Sequence, residues 1–323
     1  MKKREWMMGW LVIAAVGLVS VVRGQEAPTP SPANTPNAPE VAPGKQTVLA
    51  PGVTEQKDIA YVPDGGASQT LDLYLPDSGG KAVPLVIFVH GGGWHSGSKA
   101  PSPAQFLSEH GYAVAAINYR LSQEAPFPAQ IDDCRAALKF LRAGAATYHI
   151  QPDHVGVWGG SAGGHLVALM GTAASADFSS MPAKVADTGK VDPSLQVQCV
   201  VDNYGPSDFT QLMGSKAIKK DNSAIKLLGP YASEDELMKK AQWASPVTYV
   251  RSDNPPFLIQ HGDADKTVPI EQSKELTEAL QKAGVDVTMV VMPGAGHAGA
   301  AFFTEENHKA VLEFLDKHLK TGK

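Results

Sequence analysis

The amino-acid sequence predicts an α/β fold, with a mixed, mostly parallel eight-stranded sheet, helices on both faces and a small partial lid. Two observations predict this fold. Six segments are near-continuous apolar runs, as expected of parallel strands that are covered on both faces. Amphipathic helical segments separate several of these runs, so the chain alternates between strand and helix. Two further β-rich runs precede the six and complete the count of eight.

The predicted strands follow one another along the chain. KDIAYVP and TLDLYLP come first, and the turn-forming stretch DGGASQ between them predicts a β-hairpin. The six apolar runs come next, with the sequences VPLVIFVH, YAVAAINYR, VGVWGG, VQCVVDNYG, PPFLIQHG and VDVTMVVMPG. The expected sheet therefore has two antiparallel strands first and six strands of the βα type after them.

Three helices are predicted with an apolar and a polar face. FPAQIDDCRAALKFLRAGA has Pro128 near its first turn. Its apolar face consists of Ile131, Cys134, Leu138 and Leu141. EQSKELTEALQKAG and NHKAVLEFLDKHLK have charged outer faces, and Gly284 is expected to cap the first of them. The segment from about 209 to 250 is charged and helix-prone, and we expect it to cover the carboxyl edge of the sheet as a lid-like insertion.

The N-terminal stretch predicts a secretory signal peptide over residues 1–24. MKKREW is mostly basic, and the apolar run MMGWLVIAAVGLVSVV is short for a membrane span. Val22 and Gly24 occupy the usual positions before a cleavage site. An uncleaved anchor helix is the alternative. After cleavage, the chain is expected to be periplasmic or extracellular, without stable insertion in a membrane.

The next segment predicts a disordered spacer over residues 25–45. QEAPTPSPANTPNAPEVAPGK is rich in proline and has almost no large apolar residues, so it cannot bury a core. The folded domain is therefore expected over residues 46–323.

Charge and cysteine content exclude several classes of function. A net charge of −5 provides no basic field that would attract nucleic acid. Cys134 lies in a helical pattern and Cys199 in an apolar strand, which favours buried free thiols, although a disulfide stays open for an exported chain. No CxxC, HExxH or calcium-loop pattern occurs, so neither a metal nor a cofactor is predicted. The oligomeric state is not predicted.

The stretch GVWGGSAGG places Ser161 where an apolar strand runs into a helix. The pattern G-x-S-x-G is typical of a nucleophile on a sharp strand-to-helix turn, because small neighbours permit the unfavourable backbone angles. The helix N-terminus that follows favours negative charge nearby. The alternative is a glycine-rich helix start with a structural serine.

The stretch VIFVHGGGWHSG predicts a site for a developing oxyanion. A buried strand ends at His90, and the glycines after it allow backbone amides to approach a substrate oxygen. The HGGG pattern matches the corresponding loop of lipases and esterases. His90 is expected to brace the loop by a hydrogen bond. Trp94 and His95, directly after the glycines, are candidate substrate contacts, and a glycine turn without a catalytic role is the alternative.

Two later loops supply candidates for an acid and a base. Asp263 and Asp265 follow the strand FLIQHG, and Asp208 is a weaker rival. His297 follows the last strand on a glycine-rich loop, and its imidazole suits proton transfer near neutral pH. The order serine, acid, histidine is the one expected of an α/β-hydrolase. His165 is expected to pack beside its helix and not to face the serine oxygen.

These motifs together resemble an α/β-hydrolase of the hormone-sensitive-lipase-like kind. Within it, the chain is most similar to bacterial esterases that include acetylxylan and feruloyl esterases. The resemblance runs from about Lys57 to Leu319 and rests on HGGGW, NYRLSQEAPFPAQIDDC, GVWGGSAGGHL, PPFLIQHGDADKTVP and GAGH. It implies a triad and an oxyanion hole. The triad would consist of Ser161, Asp265 and His297, and the hole of the amides of Gly92, Gly93 and Ala162.

One position departs from the lipid-directed members of this family. Many of them have an aspartate before the serine, whereas this chain has Gly160, as in the polysaccharide-directed esterases. The resemblance therefore implies a secreted serine esterase for acetyl or feruloyl esters of plant polysaccharides, or for small-molecule esters. The alternatives are a general short-chain carboxylesterase and a kynurenine-formamidase-like amidase. A prolyl-oligopeptidase-like peptidase and a non-catalytic binding protein are further from the pattern.

Overall fold

A computed structural model describes residues 49–181, 190–214 and 222–320. The predicted signal peptide (1–24) and spacer (25–45) lie outside the described residues, as does the predicted start of the folded domain. In the described part of the chain, eight strands form one sheet in the order β1-β2-β4-β3-β5-β6-β7-β8. The strands are β1 (Val53–Ala60), β2 (Thr70–Pro76), β3 (Val83–Val89), β4 (Ala113–Ile117), β5 (Ile150–Gly160), β6 (Cys199–Asn203), β7 (Phe257–Gly262) and β8 (Val287–Met292).

The pairing of the strands confirms the predicted fold class. β1 and β2 form an antiparallel pair, and β2 is antiparallel to β4. From β3 onward, neighbouring strands are parallel. β1 begins at Val53, earlier than the KDIAYVP run, because polar residues such as Glu55 and Gln56 on this exposed edge strand weaken the apolar signal.

Eight α-helices occur in the described residues, some on each face of the sheet. They are α1 (Ala129–Ala143), α2 (Ala145–Tyr148), α3 (Ala162–Thr172), α4 (Phe209–Gly214), α5 (Ser223–Leu228), α6 (Glu234–Ala244), α7 (Glu271–Lys282) and α8 (Glu305–Leu319). The four apolar residues predicted for the buried face of α1 are all inaccessible to solvent. Gly284 follows α7 with φ of +82°, and its amide donates to the Gln281 carbonyl, so the predicted cap is confirmed.

Two hydrophobic clusters pack on opposite faces of the sheet. Leu85 and Ile87 of β3 belong to one cluster and Val86 to the other, as the alternation of a strand requires. Cys134 lies in the first cluster and Cys199 in the second, and both thiols are free and buried. The favoured interpretation of the two cysteines is therefore confirmed.

The predicted lid-like segment consists, in its described part, of α4, α5, α6 and a short 3-10 helix, Pro246–Tyr249. Phe127 donates from its amide to the Leu227 carbonyl at 2.7 Å, which ties α5 to the loop after β4. Among residues 49–181, 190–214 and 222–320, no helix combines the length and apolar character needed to cross a membrane.

Candidate active site

Ser161 lies on a strained turn between β5 and α3. Its backbone has φ of 56° and ψ of −119°, a conformation that costs a residue with a side chain about 1–3 kcal/mol. The surroundings hold this conformation in place. The Ser161 amide donates to the Asn203 carbonyl of β6 at 2.8 Å, and the Ser161 carbonyl accepts from the His165 amide at 3.0 Å. The neighbouring strand and the first turn of α3 thus compensate the strain.

Glycines around Ser161 allow this close packing. A Cβ atom on Gly163 would collide with the Val89 carbonyl group of β3, so the helix can approach the strand only without a side chain there. A Cβ atom on Gly160 would lie 2.9 Å from the Tyr204 hydroxyl. The glycine before the serine therefore leaves room for a tyrosine from the neighbouring strand end.

Ser161, His297 and Asp265 form a continuous chain of hydrogen bonds. His297 Nε2 lies 2.9 Å from Ser161 Oγ, and His297 Nδ1 lies 2.6 Å from Asp265 Oδ2. An ionised carboxylate only accepts hydrogen bonds, so Nδ1 carries the proton of a neutral imidazole and Nε2 accepts from the serine hydroxyl. The arrangement suits removal of a proton from Ser161.

The surroundings of Asp265 favour its charged form. Its side chain is fully buried, which by itself raises the pKa of the carboxyl. Hydrogen bonds from His261 and His297 act against burial, as do the amides of Val268 and Thr267 at 3.0 and 2.8 Å from Oδ1. Together they hold the pKa of Asp265 below its usual value of 3.8, so the residue is ionised at neutral pH.

The two rival carboxylates have other partners. Asp263 accepts a hydrogen bond from the Gly294 amide at 2.6 Å and so braces the loop that carries His297. Asp208 accepts from the amides of Thr210 and Gln211 at the start of α4. The structure brings Asp265, and neither of these two, into hydrogen-bond contact with His297.

The glycine loop after β3 lies against the turn that carries Ser161. A Cβ atom on Gly91 would lie 3.4 Å from Ser161 Cβ and 2.8 Å from the Gly160 carbonyl oxygen. Gly92 and Gly93 have φ of 110° and 60°, conformations that glycine adopts readily. Within the described residues, the amides of Gly92 and Gly93 donate no hydrogen bond to another group.

His90 supports this loop through a hydrogen bond and is itself held by a ring contact. Its Nδ1 lies 2.7 Å from the Gly91 carbonyl oxygen, and its ring stacks on Tyr119 at 4.4 Å between centroids. Burial lowers the pKa of His90 to about 4, so the ring is neutral and Nδ1 donates to the carbonyl.

The structure corrects the expectation for Trp94. Its side chain is only 4% exposed, and its indole Nε1 donates to Nδ1 of His165 at 3.1 Å. Trp94 therefore belongs to the core beneath the loop and offers no substrate contact. Its φ of 59° turns the chain so that the indole points inward, while His95 next to it is exposed.

The described residues contain no group of three or more His, Cys, Asp or Glu side chains that could hold a metal ion. The chemistry available at this edge of the sheet is that of a hydroxyl, an imidazole, a carboxylate and backbone amides.

A family model, BD-FAE, matches residues 71–280, well over half of the chain. The chain belongs to the BD-FAE family. The predicted resemblance to esterase-type α/β-hydrolases is thereby confirmed.

The relatives of this BD-FAE chain are named as esterases. Esterase LipQ of Mycobacterium tuberculosis is 32% identical over 271 residues, which cover 81% of this chain and 62% of that protein. The chain spans between 55% and 62% of the length of the first curated relatives it matches.

Two solved structures are similar to this chain in fold and in sequence. A truncated carbohydrate esterase from gut microbiota superposes with a TM-score of 0.74 and 32% identity, covering 83% of this chain and 97% of the other. An acetyl ester-xyloside bifunctional hydrolase from Caldicellulosiruptor lactoaceticus has a TM-score of 0.62 and 28% identity, covering 77% and 87%.

The sequence patterns did not indicate two residues that contact the triad, Tyr204 beside His297 and His261 beside Asp265. The ring of Tyr204 packs against the His297 ring at 4.9 Å and against Phe302 at 4.3 Å between centroids. His261 is fully buried, and its Nε2 lies 3.3 Å from Asp265 Oδ2. Both residues lie at the carboxyl end of a predicted parallel strand. Their position in the sequence could therefore have indicated that they lie near the site.

Proposed function

We propose that this BD-FAE domain is a carboxylic ester hydrolase that works through a Ser161–His297–Asp265 triad. The observation that carries the proposal is the pair of contacts from His297, 2.9 Å to the serine hydroxyl and 2.6 Å to the aspartate. The names of the relatives support ester hydrolysis as the reaction.

In the first step, His297 Nε2 accepts the Ser161 proton while Oγ attacks the ester carbonyl carbon. Asp265 keeps the imidazole in the required tautomer and stabilises the imidazolium cation. The amides of Gly92, Gly93 and Ala162 donate to the oxyanion of the tetrahedral intermediate. Ala162 suits this role because it is the first residue of α3, where a backbone amide has no partner within the helix.

The second half of the cycle restores the enzyme. His297 gives its proton to the departing alcohol oxygen as the carbon–oxygen bond of the ester breaks, which leaves an acyl group on Ser161. Water then loses a proton to His297 and attacks the acyl carbon. Collapse of this second intermediate releases the carboxylic acid and returns the proton to Ser161.

Acetyl or feruloyl esters of plant polysaccharides are the substrates we propose. The family resemblance supports this class, and so do two structural neighbours, named as a carbohydrate esterase and as an acetyl ester-xyloside hydrolase. A general short-chain carboxylesterase is the second candidate, favoured by the name of the LipQ relative.

Export is part of the proposal, because esters of plant polysaccharides occur outside the cytoplasm. The basic start and apolar run of residues 1–24 support cleavage of a signal peptide. N-terminal sequencing of the protein from periplasm or medium tests this. A mature chain that still begins at Met1 contradicts it.

Hydrolysis of 4-nitrophenyl acetate by wild type and Ser161→Ala tests the triad. The variant is expected to lose kcat by a factor on the order of 10⁴ to 10⁶. Equal rates for the two proteins would overturn the proposed mechanism. The substrate class is tested by comparing acetylated xylan with an unrelated aliphatic ester, and equal kcat/KM values would contradict a preference for polysaccharides.

A further inference from the structure

An open groove of about 970 Å³ lies beside the glycine loop. This groove, which we call the His95 groove, has two walls. One wall includes His95, Ser122 and Gln123, and the other includes Ile225, Lys226 and Tyr231. Its volume falls within the range of small-molecule binding sites in proteins.

Hydrogen bonds hold the first wall in place. Gln123 Nε2 donates to the His95 carbonyl at 3.0 Å, and the Ser122 amide donates to the Trp94 carbonyl at 2.8 Å. The segment after β4 is thus fixed to the glycine loop. A site whose walls are fixed before binding loses less entropy when the ligand enters.

The segment after β4 also fixes the second wall, through its other end near Phe127. The Phe127 amide donates to the Leu227 carbonyl of α5. Gly229 follows α5 with φ of +72°, and a Cβ atom there would lie 2.7 Å from Pro126 Cβ, so the turn to Tyr231 is packed closely on this loop. The groove is therefore a defined feature of the fold.

The His95 groove begins where the proposed oxyanion hole ends. A Cβ atom on Gly93 would lie 3.1 Å from His95 Nε2 and 3.3 Å from Ser223 Cβ. The first wall and the start of α5, the helix that carries Ile225 and Lys226, therefore both border this glycine. Gly91, in the same loop, borders Ser161. A substrate with its carbonyl at Ser161 can thus extend along the loop into the groove.

We propose that the His95 groove binds the sugar residues of an acylated oligosaccharide whose ester carbonyl lies at Ser161. The proposal rests on the proposed esterase function and names the alcohol side of the substrate. Sugars present hydroxyl groups around the ring and C–H groups on its faces. The side chains of His95, Ser122, Gln123 and Lys226 offer hydrogen-bond partners for the hydroxyls, and the flat ring of Tyr231 offers an apolar face.

The chemistry of the walls favours a sugar over a long acyl chain. An aliphatic chain could pack on Ile225, Pro230 and Tyr231. It would, however, remove water from an imidazole, a hydroxyl, an amide and an ammonium group without replacing the hydrogen bonds of that water. A sugar replaces them. The acyl group of the substrate must then be short or lie elsewhere.

The test compares two substrates on variants of the groove. Tyr231→Ala and Gln123→Ala are assayed with an acetylated xylo-oligosaccharide and with 4-nitrophenyl acetate. The ratio of kcat/KM for the oligosaccharide to that for 4-nitrophenyl acetate is expected to fall about tenfold in each variant, mainly through KM. Tyr148→Ala is the matched control, because Tyr148 lines a groove of about 520 Å³ at the amino ends of β3 and β5. Its ratio is expected to equal that of wild type.

A binding measurement separates this proposal from the esterase function. Ser161→Ala protein is titrated calorimetrically with the acetylated xylo-oligosaccharide, with and without the additional Tyr231→Ala change, and the addition is expected to weaken binding about tenfold. An unchanged affinity and an unchanged substrate ratio would overturn the groove proposal while the esterase function stands. Wild type that hydrolyses neither ester would overturn the esterase function, and the sugar site with it.

Discussion

Two histidines are hydrogen-bonded to Ser161, His165 through its backbone amide and His297 through its ring, and the surroundings of the two rings differ. His165 is fully buried on α3. Its Nδ1 accepts from the Trp94 indole, and its Nε2 donates to the Ala244 carbonyl at 2.8 Å. His297 has a side chain that is 18% exposed, and its two nitrogens contact a hydroxyl and a carboxylate.

The partners of the ring, and not its distance from the serine in sequence, decide what a histidine can do. His165 has both nitrogens committed to fixed partners, and burial lowers its pKa to about 4, so it stays neutral and bonded. His297 is 136 residues from Ser161, yet its ring joins a proton donor to a negative charge. The first arrangement stabilises the fold, and the second suits catalysis.

The largest expected effect comes from replacing His297, and replacement of His165 is the comparison. His297→Ala is expected to lower kcat on an acetate ester by a factor on the order of 10⁴ to 10⁶, because the serine loses its proton acceptor. His165→Gln is expected to change kcat less than tenfold and to lower the midpoint of thermal unfolding. Steady-state kinetics and circular dichroism melting measure both. A larger kcat loss in the folded His165→Gln protein would reverse the assignment.

The next effect concerns Asp265, the carboxylate that holds Nδ1 of His297. Asp265→Asn is expected to lower kcat about 10⁴-fold, since the imidazole loses the acceptor that selects its tautomer. Asp263→Asn is the matched control on the same loop, and a loss of about tenfold is expected because Asp263 only braces the His297 loop at Gly294. Similar kcat values for the two variants would show that Asp265 is not the triad acid.

A smaller effect is expected where Tyr204 supports the ring of His297. Gly160→Ala places a Cβ atom 2.9 Å from the Tyr204 hydroxyl, so the tyrosine must shift against the imidazole. We expect kcat/KM to fall about tenfold, which corresponds to about 1.4 kcal/mol. Adding Tyr204→Phe removes the oxygen in the way and should restore most of the activity. If the two changes are instead additive, the steric explanation is wrong.

The last effect is on stability and not on activity, and it is the pH dependence that His165 causes. Its pKa is about 4 in the folded protein against 6.5 ordinarily, so the unfolded chain binds a proton that the folded chain rejects between these values. Stability from this residue is therefore lost as the pH falls through that window, by about 2 kcal/mol from pH 7 to pH 5.

Denaturant unfolding of wild type and His165→Gln at both pH values isolates this contribution. His90, whose pKa burial also lowers to about 4, contributes equally to both proteins and cancels in the comparison. The stability loss on acidification should be about 2 kcal/mol smaller in the variant. An equal loss in both proteins would mean that His165 is protonated in the fold.

Much of the fold and of the site could be predicted because the signals are local. Parallel strands buried on both faces read as apolar runs, and the strand–serine–helix turn has its glycines within a few residues of Ser161. Ser161, Asp265 and His297 each come after a parallel strand. Because parallel strands present their carboxyl ends at one edge of the sheet, the three residues could be expected to meet there.

The features that could not be predicted depend on side-chain orientation and on contacts between distant segments, which local sequence patterns do not show. Nothing next to Trp94 reveals that its positive φ turns the indole into the core. The link between Gly160 and Tyr204 joins two strand ends that only the strand order β5-β6 makes neighbours. The start of β1 was missed because an exposed edge strand with polar residues lacks the apolar run that marked its partners.

The hydrogen bonds of His165 also have a consequence for motion. Trp94 belongs to the loop after β3, His165 to α3 and Ala244 to the end of α6, so one buried ring fastens three separate pieces of the molecule. A movement of α6 away from the sheet must either leave Ala244 in place or break its buried hydrogen bond with His165. Local opening there is therefore expected to be rare, and the end of α6 moves with the loop and α3 as one body.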